Sequence, residues 1–450
     1  MNLKEIHNVY FIGIGGIGMS ALARYFSAIG KSVAGYDKTS TKITSDLKNL
    51  GIAIQFEENI EGVPNQFKDK GDTLIVYTPA IPKNNKELNY FKDQNFTILK
   101  RAEVLGLITE STFCFAVAGT HGKTTTSSIL GHIMQPYNAT SFLGGISENY
   151  HSNLILGGDK ISVVEADEFD RSFLKLSPNI ACITSTDADH LDIYGEHAEL
   201  QNSFRDFSEK VTEQLVVAKG LDISGITYAV NEAADYQIKN INISKGNYIF
   251  DVETPKGTIK NVEFSLPGKH NLMNALAALA MADSYGVPLD SIKKSLQTFK
   301  GVERRFSYKI KTNDFVLIDD YAHHPTEIHA VHDAIQEMYP EEKIMVVFQP
   351  HLFSRTKDFI DDFASALSKF DEVLLLEIYP ARELPIEGVN SEWLLSKINN
   401  GNKKLTYREN LVQEIKRSEA KIVAMLGAGD IGVMIEEVKN KLISIEEHEI

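Results

Sequence analysis

The residues best suited to chemistry gather in a few short runs, the densest being Gly119-Thr120-His121-Gly122-Lys123-Thr124-Thr125-Thr126. Phe113 to Ala118 before it reads as a buried strand. Thr124 to Met134 after it, with Ile129, Leu130, Ile133 and Met134 apolar, reads as a helix. A glycine-framed loop between a strand and a helix binds phosphate. Its amides and the positive helix end receive phosphate oxygens, Lys123 reaches the terminal phosphates, and the Thr124 hydroxyl suits Mg²⁺. The usual pattern has a glycine where this chain has Val117. Two acidic runs follow apolar stretches: Glu165-Ala166-Asp167-Glu168 after Ile161 to Val164, and Asp187-Ala188-Asp189-His190 after Ile180 to Thr184. Carboxylates at strand ends can hold Mg²⁺ across from such a loop.

A second kind of turn occurs twice. Gly13-Ile14-Gly15-Gly16-Ile17-Gly18 follows an apolar run, with Asp37 closing the next one where a ribose-binding acid belongs. Gly427-Ala428-Gly429-Asp430-Ile431-Gly432 repeats the spacing. The pattern by itself leaves open whether each copy binds a nucleotide diphosphate or only turns the chain tightly from strand to helix. Polar clusters also follow apolar runs at Lys269-His270-Asn271-Leu272-Met273-Asn274, Arg304-Arg305, Asp319-Asp320-Tyr321-Ala322-His323-His324 and His351-Leu352-Phe353-Ser354-Arg355. Asn271 and Asn274 share a helix face and suit the edge of a base, or serve as a cap and a polar helix position. His324 and His329 are spaced as metal ligands can be, but no cysteine pair accompanies them and no structural zinc is expected.

Positioning these groups requires many buried strands. Val9 to Ile14, Leu74 to Tyr77, Phe113 to Ala118, Ile161 to Val164, Ile180 to Thr184, Phe315 to Ile318, Lys343 to Phe348, Val373 to Leu376 and Ile422 to Leu426 all fit. Helical patterns alternate with them, among them Arg101 to Thr109, Asn271 to Tyr285 and Lys357 to Phe370. Strand and helix in alternation predict α/β layers with mostly parallel sheets. Residues 225–266 look like a small antiparallel insertion. Three domains are expected from 450 residues, divided as 1–107, 108–306 and 307–450.

Composition narrows the class. The net charge of −15 disfavours wrapping nucleic acid or coating an anionic membrane. No apolar run reaches the roughly 18 residues of a membrane span, and the acidic, glycine-interrupted N-terminus does not read as a signal peptide. Cys114 and Cys182 lie in apolar runs and read as buried thiols in a reducing cytoplasm.

Taken in order, these motifs resemble the Mur ligases over essentially the whole chain. The carriers are Gly13 to Ser20, Arg101-Ala102-Glu103, Gly119 to Thr125, Glu165 to Glu168, Asp189-His190, His270-Asn271 with Asn274, Arg304-Arg305-Phe306, Asp320 to Pro325 and His351 to Arg355. The resemblance implies an N-terminal Rossmann-like domain, a central ATPase with a phosphate loop, and a Rossmann-like C-terminal domain closing over the nucleotide. It implies ATP and Mg²⁺ as cofactors and a cytoplasmic ligation of L-alanine to the carboxylate of UDP-N-acetylmuramate through an acyl phosphate. Such a step belongs to peptidoglycan precursor synthesis. The expected partners are these small molecules, in a monomer or weak homodimer.

By the same resemblance, Gly13, Gly15, Gly16, Gly18, Asp37 and Arg101 address the UDP-sugar. Gly119, Thr120, His121, Gly122, Lys123, Thr124, Thr125, His270, Asn271, Asn274, Arg305 and Asp320 address ATP, and His323, His351 and Arg355 the amino acid. Thr124, Glu165 and His190 would hold the metal; Lys123, His190 and Arg305 would be catalytic. Ala322 and Leu352 stand where the family often has glycine and arginine. The alternatives are a recycling ligase that attaches a preformed tripeptide to UDP-N-acetylmuramate, and an NAD-dependent dehydrogenase built on the first glycine turn.

Overall fold

The computed structural model describes residues 3–187, 197–244, 247–381 and 383–446. Three sheets organise it, built largely from short apolar runs that alternate with helices along the chain. The first contains β1 (Asn8–Ile12), β2 (Ser32–Tyr36), β3 (Ala53–Gln55), β4 (Thr73–Tyr77) and β5 (Thr97–Lys100), in the order β3-β2-β1-β4-β5 and all parallel. Its strand order reverses at β1, where open α/β sheets collect ligands. The Gly13 turn leaves β1 at that point.

The second sheet has ten strands. At its centre β6 (Phe113–Ala118) lies between β9 (Ile161–Glu165) and β10 (Ile180–Ile183), all parallel. On one side follow β7 (Ala139–Ser147) and β8 (Ser152–Ile155). On the other come β11 (Gln214–Ala218), β12 (Ile226–Val230), β13 (Tyr236–Ser244), β14 (Asn247–Thr254) and β15 (Gly257–Phe264). Residues 225–266 are therefore not a separate insertion. β12 runs parallel to β11 and β13 parallel to β12, so the segment extends the main sheet. Its alternating burial comes from one covered face, which looks the same in an isolated hairpin.

The third sheet runs β16-β17-β21-β18-β19-β20, from β16 (Ser307–Lys311), β17 (Val316–Asp320), β18 (Ile344–Phe348), β19 (Glu372–Leu375), β20 (Lys403–Leu405) and β21 (Ile422–Leu426). Only the edge strand β16 is antiparallel. The helix expected over Lys357 to Phe370 is two, Phe353–Asp358 and Ile360–Leu367, because Phe359 leaves the helical region at φ −116° and ψ 27°.

The chain forms two compact units. One comprises Met1–Asn242, Ile249–Phe264 and Met273–Lys300; the other Ile243–Tyr248, Ser265–Leu272 and Gly301–Ile450. In the first unit a single apolar core runs from Val9, Phe11 and Phe26 through Phe142 to Phe173 and Phe204. It brings the helix Ile17–Ala28 against the central sheet, with Tyr25 and Phe142 in edge contact at 5.2 Å. Full burial of a phenylalanine contributes about 1.5–3 kcal/mol, so this continuous core holds the two sheets of the unit firmly.

Candidate functional site

In the first unit the ends of β6, β9 and β10 meet at the phosphate loop. Gly119 and Gly122 adopt φ +131° and +82°, which only glycine takes easily, and Gly122 caps the helix Lys123–Met134. A side chain at Gly119 would fall 2.1 Å from Thr184 Oγ1, and one at Gly122 2.4 Å from Asn274 Oδ1. The segment after β10 braces the loop. Thr184 Oγ1 donates to Ala118 O at 3.1 Å and to His121 O, His121 N donates to Ser185 Oγ at 2.9 Å, and Thr120 Oγ1 bonds Ser185 Oγ at 2.9 Å. His121 Nε2 lies 3.5 Å from Asp187 Oδ2. Thr184 and Ser185 carry no sequence signal of this role, because hydroxyl residues after a strand are common.

Lys123 Nζ donates to Gly119 O at 2.6 Å and to Glu168 Oε1 at 2.9 Å. Glu168 is fully buried. Burial disfavours the lysine charge, but the carboxylates of Glu168, Asp167 and Glu165 outweigh it and raise its pKa. The ammonium is therefore favoured in its charged form and pre-aimed along the loop. Thr124 Oγ1 sits 3.0 Å from each oxygen of Glu165, and Gly144 N donates to Glu165 Oε2 at 2.9 Å. This hydroxyl–carboxylate pair offers the hard oxygen donors that Mg²⁺ takes, so the residues present fit that ion. Among the described residues no group of three or more His, Cys, Asp or Glu is poised around one ion. His190, together with Asp189, lies outside the described residues.

The first glycine turn differs from the second in what fills it. Asp37 Oδ2 accepts from Gly15 N at 2.8 Å and Oδ1 from Thr39 N at 3.0 Å, so this acid shapes the turn. The Arg101 guanidinium lies over Gly18, where an added Cβ would be 3.0 Å from Nη1, and 3.7 Å from Asp167 Oδ2. A cation beside a helix N-terminus suits a diphosphate. Gly13 (φ +88°) starts the turn and Gly16 caps the helix. At the second turn the protein supplies its own occupants. Gln349 Oε1 accepts from Ile431 N at 3.0 Å, Arg304 Nη2 donates to Gly427 O at 2.5 Å, and a Cβ on Gly429 would meet the Tyr379 ring at 2.7 Å. The second match is a packed strand-to-helix turn.

In the second unit the ends of β17 and β18 gather the other predicted residues. Arg304 and Phe306 hold φ +61° and +51°, uncommon for side-chain-bearing residues. Asp320 over-determines that strain: Oδ2 accepts from Phe306 N at 2.6 Å and Oδ1 from Ala322 N at 2.7 Å. The strained turn lays Arg305 over the Tyr321 ring at 5.1 Å and 3.8 Å from Glu327 Oε1. Glu327 also caps the helix Pro325–Met338, accepting from His324 N at 3.2 Å, and takes His323 N at 2.9 Å as well. Pro325 at the first helical position, with an acid in the first turn, is a helix-start signal that could have singled out Glu327 in the sequence. His323 and His351 approach edge-on at 6.0 Å, His351 stacks on Tyr379 at 5.7 Å, and Arg355 Nη1 lies 3.4 Å from His351 Nδ1. Ser354 N and Oγ both bond Glu383, which secures the helix carrying Arg355. His324 accepts from Thr326 N at 3.4 Å, a helix-cap role.

Burial, assisted by Arg305, lowers the pKa of His270 to about 4; burial, aided by Arg355 and Arg305 and opposed by Glu327, lowers His323 to about 4. Both are neutral near pH 7 and can accept hydrogen bonds. Burial raises Asp320 to about 6 against the pull of Arg305 and its two amide partners. The depressed histidines contribute stability that is present above the ordinary histidine value near 6.5 and lost as pH falls through about 4. Asp320 works oppositely, favouring the fold below its ordinary value and losing that contribution as pH rises through about 6. Glu87, raised by burial to about 7, works in the same direction as Asp320 over this range, so the histidines are read by difference. In urea unfolding between pH 6.5 and 4.5, the H270Q/H323Q midpoint is expected to lose less on acidification than that of wild type. Equal slopes in the two proteins would contradict neutral burial of the histidines.

A phosphate loop at the heart of a parallel sheet and a glycine turn of the diphosphate type in one unit, with a His–Arg cluster in the other, define a nucleotide-dependent α/β enzyme. The chain belongs to the Mur ligase family: the family's catalytic domain matches residues 8–112, its middle domain 117–282 and its glutamate ligase domain 304–433. Among its relatives is a UDP-N-acetylmuramate–L-alanine ligase of Flavobacterium psychrophilum, 60% identical, covering 98% of this chain and 99% of the relative. The crystal structure of UDP-N-acetylmuramate-alanine ligase MurC from Thermotoga maritima aligns with a TM-score of 0.81 at 30% identity, over 98% of this chain and 100% of that one. A murein peptide ligase of Psychrobacter arcticus shares the fold, with a TM-score of 0.69 at 22% identity over 96% and 98% of the two chains.

Proposed function

We propose that this chain uses ATP to join L-alanine to the carboxylate of UDP-N-acetylmuramate, a step in peptidoglycan precursor synthesis. The observation that carries this reading is full-length identity of 60% to a ligase named for that reaction, on a chain whose phosphate loop is built around an aimed Lys123. A carboxylate is a poor acylating agent. Transfer of the γ-phosphoryl group to its oxygen, with departure of ADP, makes phosphate the leaving group. The alanine nitrogen then attacks the acyl carbon, phosphate leaves, and the amine gives up its proton.

The residues suit those demands. Phosphoryl transfer depends on positioning and charge neutralisation. Lys123 draws charge from the transferring group, while the amides of Gly119 to Thr125 cradle the phosphates. Thr124, Glu165 and His190 would hold Mg²⁺, which neutralises phosphate charge when bound. The Gly13 turn and Arg101 receive the uridine diphosphate, with Asp37 keeping the turn in shape. His270, Asn271 and Asn274 address the base, Arg305 and the Asp320-braced loop the nucleotide, and His323, His351 and Arg355 the amino acid. The planar fork of Arg355 matches a carboxylate. In domain terms, residues 1–107 take the UDP-sugar, 108–306 ATP, and 307–450 the amino acid. Among the described residues no helix is long and apolar enough to cross a membrane, and ATP and the UDP-sugar are substrates of the cytoplasm.

Phosphate release measured with UDP-N-acetylmuramate, ATP and Mg²⁺ should require L-alanine among a panel of amino acids. Release with a preformed tripeptide but not with L-alanine would replace this reading by that of a recycling ligase.

A further inference from the structure

Tyr248, the second residue of β14, is fully buried, and a buried phenol needs hydrogen-bond partners. It has two. Its oxygen accepts from Gly268 N at 2.9 Å, and its hydroxyl donates to the Glu337 carboxylate. Gly268 is the pivot of the short loop 267–271. It adopts φ +95°, and a Cβ there would fall 2.6 Å from His270 Cε1 and 3.0 Å from Ala334 Cβ. Its carbonyl accepts from Asn271 N at 2.9 Å and Leu272 N at 3.3 Å, which opens the helix Lys269–Tyr285. Asn271 Nδ2 returns to Pro267 O at 2.7 Å. The loop is thus internally closed, and its Gly268 N–H is anchored by the phenol.

The far end of this connection matters as much. Glu337 lies in the last turn of the helix Pro325–Met338, and Glu327, the partner of Arg305 and His323, in its first. Ten residues of helix span about 15 Å as a stiff rod. One helix therefore ties the loop of His270 and Asn271 at one end and sets the Arg305 guanidinium at the other.

We propose that the Tyr248 hydroxyl is a positioning group for nucleotide binding: it relays the Gly268 N–H to Glu337 and so fixes His270 and Asn271 in register with Arg305. The proposal rests on the assignment of His270 and Asn271 to the ATP base. No substrate atom touches Tyr248 in this scheme. Its effect passes through the loop.

The test is steady-state kinetics on the full-length enzyme, varying ATP, UDP-N-acetylmuramate and L-alanine in turn, for wild type, Y248F, E337A, E337Q and N271A. Loss of one hydrogen bond together with a buried N–H left unpaired corresponds to about a five- to tenfold change. KM for ATP is expected to rise by about that factor in Y248F and E337A, with the other two KM values within about twofold. E337Q should restore ATP affinity, because the glutamine carbonyl still accepts the phenol proton. A raised KM for ATP in N271A beside unchanged values in Y248F and E337A overturns the relay alone. An unchanged KM in N271A overturns the base-site assignment and the relay with it. Lowered thermal stability in Y248F with an unchanged KM for ATP would reduce Tyr248 to a structural residue, also overturning the proposal.

Discussion

Lys123→Ala is expected to lower turnover by about three orders of magnitude or more while leaving UDP-N-acetylmuramate affinity within about twofold. The ammonium is held by Gly119 O and Glu168, inside the curve of the phosphate loop, whereas the Gly13 turn belongs to a different sheet. The substitution has a second consequence. Glu168 is fully buried, and removing the lysine takes away the cation with which its carboxylate is paired, a loss of about 3–5 kcal/mol. Lys123→Ala should therefore also lower the unfolding midpoint. The double variant K123A/E168Q separates the two effects: stability returns, because a neutral amide replaces the buried charge, but turnover does not. Recovery of turnover in the double variant would show that stability alone had been lost. Loss of UDP-sugar affinity in calorimetry would contradict the separation of the two binding regions. The same geometry implies that an arriving phosphate competes with Glu168 for Nζ.

Glu165→Gln is the second large effect. The amide oxygen still accepts from Thr124 and Gly144, so the local hydrogen bonds survive while the charge is removed. Space is tight, since a Cβ at Gly144 would fall 2.1 Å from Glu165 Oε2, and the near-isosteric glutamine respects it. The expected result is a fall in kcat of about 100-fold and a rise of about tenfold in the Mg²⁺ concentration that half-saturates nucleotide binding. ADP titrations at several Mg²⁺ concentrations read the second quantity without catalysis. An unchanged Mg²⁺ dependence in E165Q would remove Glu165 from the metal site.

Much of this architecture is written locally. The strand Phe113–Ala118 and the strand Ile422–Leu426 have the bounds their apolar runs predict, because a strand buried on both faces needs uninterrupted hydrophobic residues. The hairpin Ala139–Ser147 and Ser152–Ile155 escaped notice, since its serines, threonine and glycines lack that continuity. The helix break at Phe359 escaped for the opposite reason. Phe359, Ile360, Phe363 and Leu367 keep helical spacing across it, and periodicity cannot see a local departure of the backbone.

The site divides along the same line. The phosphate loop, the motifs around it and the mostly parallel α/β layers are legible locally, because each depends on neighbours a few residues apart. What meets each of the two identical glycine spacings is a matter of long-range contacts. Gln349 reaches Ile431 across 82 positions and fills the second turn, while Arg101 meets Gly18 at the first. Only the tertiary structure decided that Lys123 is aimed by a buried Glu168, that Asp320 braces a strained turn, and that Tyr248 anchors the loop before Asn271. Those contacts join residues far apart in the chain, and their geometry exists only once the sheets have brought the strand ends together.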